Sequence, residues 1–175
     1  MAIVSVATEL RAPAAVVWQG AKTPYAFVHV AKGMLRFPAA ERIDRPWQQG
    51  DQLSGWILLI GVVPFSIHHL RVESIDDASR TLVSDERGGL IRRWRHEVFV
   101  TALDANTCRY EDRIEIDAGA FTPLVAAFAS VFYRYRQRRW RSLARLLGAA
   151  VGSRDGDASS VLSSGPSVRA PQGTR

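Results

Sequence analysis

A single long helix is predicted for residues 122–147, and it constrains the fold of the rest of the chain. Thr122 can accept backbone N–H groups as an N-cap, and Pro123 has a φ already suited to a first helical turn. Gly148 is a natural end for the helix. About 26 residues of helix span roughly 39 Å, so this element can lie along the full length of a small domain. Its apolar side follows a spacing of about 100° per residue and comprises Phe121, Leu124, Val125, Phe128, Val131, Phe132 and Tyr135.

The opposite side of this helix carries a stripe of arginines. We interpret the stripe as a solvated face. Arg139 falls instead within the apolar side, and we expect the helix to have passed the end of the sheet at that point. The arginine stripe consists of Arg134, Arg138, Arg141 and Arg145.

Upstream of the long helix, the sequence predicts mainly β-strands. Residues 3–10 alternate apolar with small or polar residues, and two short helices are predicted at residues 14–20 and 24–33. From residue 34, apolar and polar residues alternate with a period of two. Short breaks in this alternation favour successive antiparallel hairpins. The strands predicted in this region are residues 34–44, 51–60, 65–75, 80–87, 91–102 and 107–117.

These elements predict an α+β fold in which antiparallel strands are covered by the long C-terminal helix. One domain accounts for residues 1–150. After Gly148 the sequence is rich in Gly, Ser, Ala and Asp and has little that can bury surface, so residues 151–175 are predicted to be a disordered tail.

Composition limits the class of protein further. The chain has 175 residues, of which 47% are hydrophobic, and a net charge of +6. Only Lys22 and Lys32 are lysines, so we attribute the arginine excess to coding bias and do not predict nucleic-acid binding. With Cys108 as the one cysteine, no internal disulfide is expected and a cytoplasmic location is predicted. We expect no signal peptide, membrane span, metal site or cofactor.

Three short motifs along the chain resemble one superfamily. The first is Ala12-Pro13 followed by Val17-Trp18, the second is Trp94 and His96 followed by Thr107 and Asp112, and the third is Phe132-Tyr133-Arg134 followed by residues 138–143. They are similar to the "ap…vW", "W-x-H … T … D" and "f-x-x-R…l" motifs of bacterial members of the START-like helix-grip superfamily, also called SRPBCC. This superfamily includes polyketide cyclases, pollen-allergen-like proteins and lipid carriers.

The resemblance covers about residues 2–148 and implies a specific architecture. A seven-stranded antiparallel sheet would curl around the long helix, with two short helices between strands 1 and 2 and a ligand cavity between sheet and helix. The chain departs from the superfamily at Asp117-Ala118-Gly119, where members usually have a proline, so the turn into the long helix is expected to differ.

The residue alternation indicates which side chains face that cavity. In strand 91–102 the inner face carries Trp94, His96 and Val98, and in strand 107–117 it carries Asp112. A turn at residues 104–106 places Asp112 opposite Val98 and one diagonal step from His96. In strand 65–75, either His68 or His69 is placed to point inward.

Two readings of the His96–Asp112 pair stay open from the sequence. One is a structural hydrogen bond that closes the sheet beneath the helix, and the other is a general acid/base pair at the base of a pocket. The predicted ligand-binding residues are Trp94, His96, His68, Tyr110, Asp112, Trp56, Phe128 and Phe132.

The function predicted is binding of a small hydrophobic or amphipathic molecule. One alternative is a cyclase or dehydratase acting on a polyketide-like substrate, with His96 as base and Asp112 orienting it. Another is a lipid or quinone carrier that docks on anionic membranes through its arginine face.

Overall fold

The computed structural model describes residues 1–163, with side chains up to residue 149. Seven antiparallel strands form one sheet over this part of the chain, and three α-helices accompany it. The strands are β1 (Ala2–Leu10), β2 (Leu35–Arg36), β3 (Gln52–Leu59), β4 (Val63–Asp76), β5 (Thr81–Gly88), β6 (Ile91–Ala102) and β7 (Cys108–Asp117). The helices are α1 (Ala14–Ala21), α2 (Pro24–Ala31) and α3 (Thr122–Ser163).

The sheet order is β1-β7-β6-β5-β4-β3-β2, so consecutive strands after α2 pair as hairpins and β1 closes on the last strand. The predicted α+β helix-grip fold is confirmed by this order, with two short helices between β1 and β2 and the long helix after β7. Register shifts at Ile57/Leu58, Val72/Ser74 and Glu86/Gly88 are β-bulges, which bend the strands and increase their twist.

Local chemistry accounts for the start of the helices. Thr23 caps α2, because its side-chain oxygen accepts a hydrogen bond from the backbone N–H of Ala26 at 3.1 Å. Thr122 behaves differently from the predicted N-cap. Its hydroxyl accepts from the Ala118 N–H at 3.0 Å and donates to the Gly119 carbonyl at 2.8 Å, so it fastens a short 3₁₀ turn that precedes α3.

The strand predicted at residues 34–44 is wrong in length. Only Leu35 and Arg36 pair with β3, and the chain then forms a 3₁₀ helix at Ala40–Arg42. The reason is Pro38, which cannot donate a hydrogen bond to a sheet. The backbone N–H of Ala40 donates instead to the Phe37 carbonyl at 3.0 Å, which turns the chain away from the sheet.

The predicted end of the long helix at Gly148 is also wrong, because α3 continues to Ser163. Gly148 lies beside the start of α1, where a Cβ built on it would be 3.5 Å from the Cβ of Ala12. We infer that Gly148 lets α3 pack closely against the chain at Ala12, because glycine has no side chain. Residues 151–163 of the predicted disordered tail lie within α3. Residues 164–175 lie outside the described residues, and for them the tail stays a prediction.

The dense part of the core lies under the part of α3 around Trp140, and α3 packs mainly on β1. Trp140 stacks on Tyr110 with ring centroids 4.6 Å apart, and both rings are buried. The first half of α3 lies over a space that side chains do not fill. The buried apolar residues that α3 contributes are Ala129, Phe132, Tyr133, Trp140, Leu143 and Ala144.

Two phenylalanines of α3 differ in how deeply they are buried, and they provide a test of how this helix is divided between buried and exposed positions. Phe132 is 4% exposed and Phe128 is 39% exposed, and their rings stack 6.0 Å apart. Phe132→Ala should lower the free energy of unfolding by about 3–5 kcal/mol, the usual cost of emptying a buried aromatic site. Phe128→Ala, the matched control, should cost clearly less because its ring is already partly in solvent. Urea unfolding of both variants measures the difference, and equal losses would contradict the division.

Candidate functional site

A cavity of about 550 Å³ lies between the first half of α3 and strands β3–β6. Its walls are mostly aliphatic and aromatic, with polar groups at one end. A volume of this size suits a small organic molecule, since ligand pockets commonly measure about 300–1,000 Å³. The principal apolar lining residues are Phe27, Leu35, Phe37, Ile57, Ile91, Trp94, Val125, Phe128, Phe132 and Tyr133.

Exposed apolar side chains surround the mouth of this cavity. Leu124 of α3 is 70% exposed, and Phe65 of β4 and Leu90 of the β5–β6 turn are also largely in solvent. The β5–β6 turn lies against β4, because a Cβ on Gly88 would be only 2.1 Å from the carbonyl oxygen of Ile67. A residue with a side chain would push this part of the rim outward.

A row of alternating histidines and carboxylates crosses the inner face of the sheet. This polar row takes one residue from each of β4–β7 and consists of His68, Glu86, His96 and Asp112. His68 Nε2 lies 2.7 Å from Glu86 Oε2, and His96 Nε2 lies 2.8 Å from Asp112 Oδ1. Between these pairs, His96 Nδ1 is 3.9 Å from Glu86 Oε1. The row therefore leads from the cavity into the core.

The register of the β6–β7 hairpin brings the second pair together. Val98 pairs with Asp112, as predicted, so His96 is the diagonal neighbour of Asp112 on the same face. At such a diagonal, long side chains are within reach of each other. The predicted contact between His96 and Asp112 is present in the structure.

The β4–β5 hairpin brings the first pair together by the same geometry. Leu70 pairs with Glu86, so His68, two residues earlier, is the diagonal neighbour of Glu86. Of the two candidate histidines, His68 is the one that points inward. The ring of His69 is on the outer face, where its Nδ1 is 2.8 Å from the hydroxyl of Ser54.

Asp112 is fully buried and bonded to partners from the sheet and from α3. Tyr110 donates to it at 3.2 Å and the Gln137 amide at 2.8 Å, in addition to the contact with His96. Burial acts to raise the pKa of the Asp112 carboxyl. The charge of Arg136 and these hydrogen bonds outweigh burial, so the pKa lies below its usual range.

Glu86 is held as a carboxylate in a similar way. Burial acts to raise its pKa, whereas the hydrogen bond from His68 and the charges of His68 and His96 lower it to a net value below the usual range. Ser84 Oγ also donates to Glu86 Oε1 at 2.8 Å. Glu86 lines the large cavity together with His68, so this pair is accessible to a ligand.

Arg136 and Gln137 are buried polar residues of α3 that sequence reasoning missed. They follow Phe132 and Tyr133 by four residues, so helical spacing places them on the same buried side. That spacing was the available signal, and the polar character of the residues obscured it. Arg136 Nη2 lies 3.7 Å from Asp112 Oδ1. The guanidinium also lines the large cavity.

The predicted ligand-binding residues do not all line the same cavity. Trp94, His68, Phe128 and Phe132 line the large cavity. His96 and Tyr110 line a smaller inner cavity of about 40 Å³, which shares Glu86, Arg136 and Phe27 with the larger one as walls. Asp112 is not among the lining residues of either cavity.

Trp56 is misplaced in the predicted ligand-binding set. It is 52% exposed and is not among the residues that line the large cavity. Alternation along β3 explains this, since Ile57 points inward and its neighbour must point outward.

The arginine stripe is exposed, as interpreted from the sequence, although Arg141 Nε donates to the Thr8 hydroxyl at 2.8 Å. Arg139 is tied to α2, because its Nε donates to the His29 carbonyl at 2.8 Å. Membrane docking through this face stays a prediction. No helix in the described part of the chain is long and apolar enough to cross a membrane.

Metal-ligating side chains do not form a cluster of three or more among the described residues. Cys108 is buried within the core, and burial raises the pKa of its thiol to about 11. A buried thiol with a raised pKa is a poor nucleophile.

The architecture is the START-like helix-grip fold, and comparison with solved structures supports this fold. Zhui aromatase/cyclase from Streptomyces sp. R1128 is 15% identical over 82% of this chain and 93% of its own, with a TM-score of 0.59. A START superfamily protein from Mycobacterium smegmatis is 14% identical over 83% of this chain and 98% of its own, with a TM-score of 0.60. At these identities the likeness establishes the fold.

A plant enzyme has the same architecture. Norcoclaurine synthase from Thalictrum flavum, solved in complex with dopamine and hydroxybenzaldehyde, is 13% identical over 75% of this chain and 84% of its own, with a TM-score of 0.51. Residues 8–145 match the family described as a domain of unknown function, DUF8410, and the chain belongs to that family. No curated protein matches the chain in sequence.

Replacing Asp112 with Asn tests the charge assigned to the polar row. Asp112→Asn should lower the free energy of unfolding at pH 7 by about 3–5 kcal/mol, because it leaves the buried Arg136 without its counter-charge. The folded-state pKa of Asp112 is lowered, so its contribution is complete above the unfolded pKa of about 4 and is lost as the pH falls through the folded value.

The gap in stability between wild type and Asp112→Asn should therefore narrow as the pH falls below about 4. Urea unfolding at a series of pH values measures the gap. The isosteric variant Glu111→Gln, on the outward face of the same strand, serves as the control. A gap that stays constant down to about pH 3 would contradict an ionised Asp112.

Proposed function

We propose that the protein binds a small hydrophobic or amphipathic molecule in the cavity between its sheet and α3. The observation that supports this proposal is the combination of a 550 Å³ apolar cavity with three polar groups, His68, Glu86 and Arg136, at one end. Apolar walls supply affinity through removal of surface from water, and a few polar groups fix orientation. The ligand is therefore expected to have an apolar body and one polar end.

The open mouth also fits this function. Phe65, Leu90 and Leu124 are exposed around the entrance, and a ligand that reaches the mouth meets apolar surface before it enters. Contiguous apolar surface exposed on a folded protein commonly marks a binding region.

Filling the cavity provides a direct test. Val125 lines the cavity, whereas Val131 lies on the exposed side of the same helix. Val125→Trp should weaken binding of an uncharged hydrophobic fluorescent probe such as N-phenyl-1-naphthylamine by about tenfold or more, because the indole occupies the ligand's space. Val131→Trp introduces the same side chain outside the cavity and should leave the affinity unchanged.

Probe titration followed by fluorescence gives both affinities, and native mass spectrometry of freshly purified protein detects a molecule carried through purification. Equal affinities in the two variants would place the probe elsewhere on the protein. Absence of binding by the wild type would count against the function itself.

A second candidate is an enzyme of the cyclase or dehydratase type, and the placement of His68 favours it. His68 and Glu86 line the large cavity, whereas His96 and Asp112 lie behind them. With Glu86 ionised, His68 Nε2 carries the proton that it donates, which leaves Nδ1 as the basic nitrogen. Nδ1 can then accept a proton from a carbon next to a carbonyl, and Glu86 stabilises the imidazolium that forms.

Hydrogen–deuterium exchange of β-tetralone in D₂O measures that proton transfer by NMR. Wild-type protein should accelerate exchange at the carbon next to the carbonyl, and His68→Gln should reduce the acceleration by about 10²-fold or more, as loss of a general base does. His69→Gln, on the outer face of the same strand, is the matched control and should retain it.

Loss of exchange in His96→Gln with retention in His68→Gln would assign the chemistry to the His96–Asp112 pair. Lack of acceleration by wild-type protein that binds β-tetralone would contradict the enzyme candidate and leave ligand binding standing.

A further inference from the structure

Arg136 stands out among the groups at the polar end of the cavity because it is charged, buried and poorly bonded. The residue is 4% exposed, and its Nε has no hydrogen-bond partner in the described part of the chain. Its Nη2 is 3.7 Å from Asp112 Oδ1, which is too long for a hydrogen bond. Buried polar groups nearly always have hydrogen-bond partners, so a buried guanidinium at a cavity wall whose Nε has none requires an explanation.

Aromatic rings fix the position of this guanidinium. Its central carbon lies 4.9 Å from the ring centre of Tyr133, 5.8 Å from that of Phe132 and 5.9 Å from that of Phe27. These distances allow cation–π attraction, which holds the group without using its N–H donors. The guanidinium is thus held in place at the cavity wall, and binding of a ligand to it loses little conformational entropy.

The charges around Arg136 indicate which kind of acceptor fits. Glu86 and Asp112 are two carboxylates beside one guanidinium, so these three groups together carry a charge of −1. Glu86 also lines the cavity that the ligand enters. An anionic ligand group would add a third negative charge at close range. A neutral carbonyl oxygen accepts the N–H of Arg136 without that repulsion.

We propose that Arg136 is the ligand's polar anchor, and that the ligand is a neutral, largely aromatic molecule with a carbonyl oxygen at its buried end. This inference rests on the proposed binding function and names the class of its ligand. The aromatic part of the ligand follows from the walls, since seven aromatic side chains line the cavity and its mouth: Phe27, Phe37, Phe65, Trp94, Phe128, Phe132 and Tyr133. Rings stack favourably on such walls, in offset or edge-on arrangements.

Three probes that differ at one position test the anchor: tetralin, β-tetralone and the tetralin carboxylate substituted at the same carbon. Titration calorimetry with wild-type protein should give β-tetralone an affinity about tenfold higher than that of tetralin, and the carboxylate an affinity no higher than that of tetralin. Arg136→Met should reduce the preference for β-tetralone to near unity while tetralin binds as before. Arg138→Met, on the exposed side of the same helix, is the control and should keep the wild-type preference.

Loss of Arg136 leaves Asp112 without its counter-charge, so the double variant Arg136→Met, Asp112→Asn is measured beside the single one. The comparison of probes in wild-type protein decides the question even when neither variant folds. Equal affinity for tetralin and β-tetralone would overturn the anchor while ligand binding survives. Tightest binding of the carboxylate would overturn the neutral class. Failure of all three probes to bind wild-type protein would overturn the inference together with the binding function.

Discussion

The buried charge of Asp112 is the constraint on which much of this structure depends. An isolated carboxylate in a protein interior costs several kcal/mol, so it persists only with partners in good geometry. Here the partners come from different elements: His96 from β6, Tyr110 from β7, and Gln137 and Arg136 from α3. A shift of any of these elements along the sheet would leave a charge without compensation. The buried charge therefore fixes both the pairing of β6 with β7 and the position of α3 on the sheet.

Gln137 extends this constraint to the far edge of the sheet. Its side-chain amide donates both to Asp112 and to the backbone carbonyl of Val6 in β1, at 2.8 and 3.1 Å. One side chain of α3 thus bridges β7 and β1, the strands where the first and last parts of the sheet meet. The helix is held against the sheet on this side, and the large cavity opens on the other side, toward β3–β6.

Much of this arrangement was accessible from the sequence, because it depends on local rules. Alternation and a short turn were enough to place Asp112 opposite Val98 and near His96, since hairpin geometry links strand position to pairing. The same rules applied to β3 would have turned Trp56 outward. Its place in the predicted set came from its aromatic character.

The missed residues share a different physical origin. Glu86 and Arg136 are charged, and composition alone favours placing such residues in water. The free-energy cost of burying them is offset only when strand pairing brings His68 near Glu86 and the position of α3 brings Arg136 near Asp112. Long-range partners of this kind are a property of the folded chain as a whole. The identity of the polar end of the cavity therefore required the structure.

The uneven seating of α3 has a consequence for how this fold can change over evolution. The part of the helix around Trp140 is embedded in the core, whereas the part around Leu124 and Phe128 covers a space. The packing of α3 that stabilises the fold is thus concentrated around Trp140. Substitutions at the other end alter the shape of the cavity at a small cost in folding. New ligand preferences can accumulate there by single substitutions at exposed or partly exposed positions such as Leu124 and Phe128, each of which costs little stability.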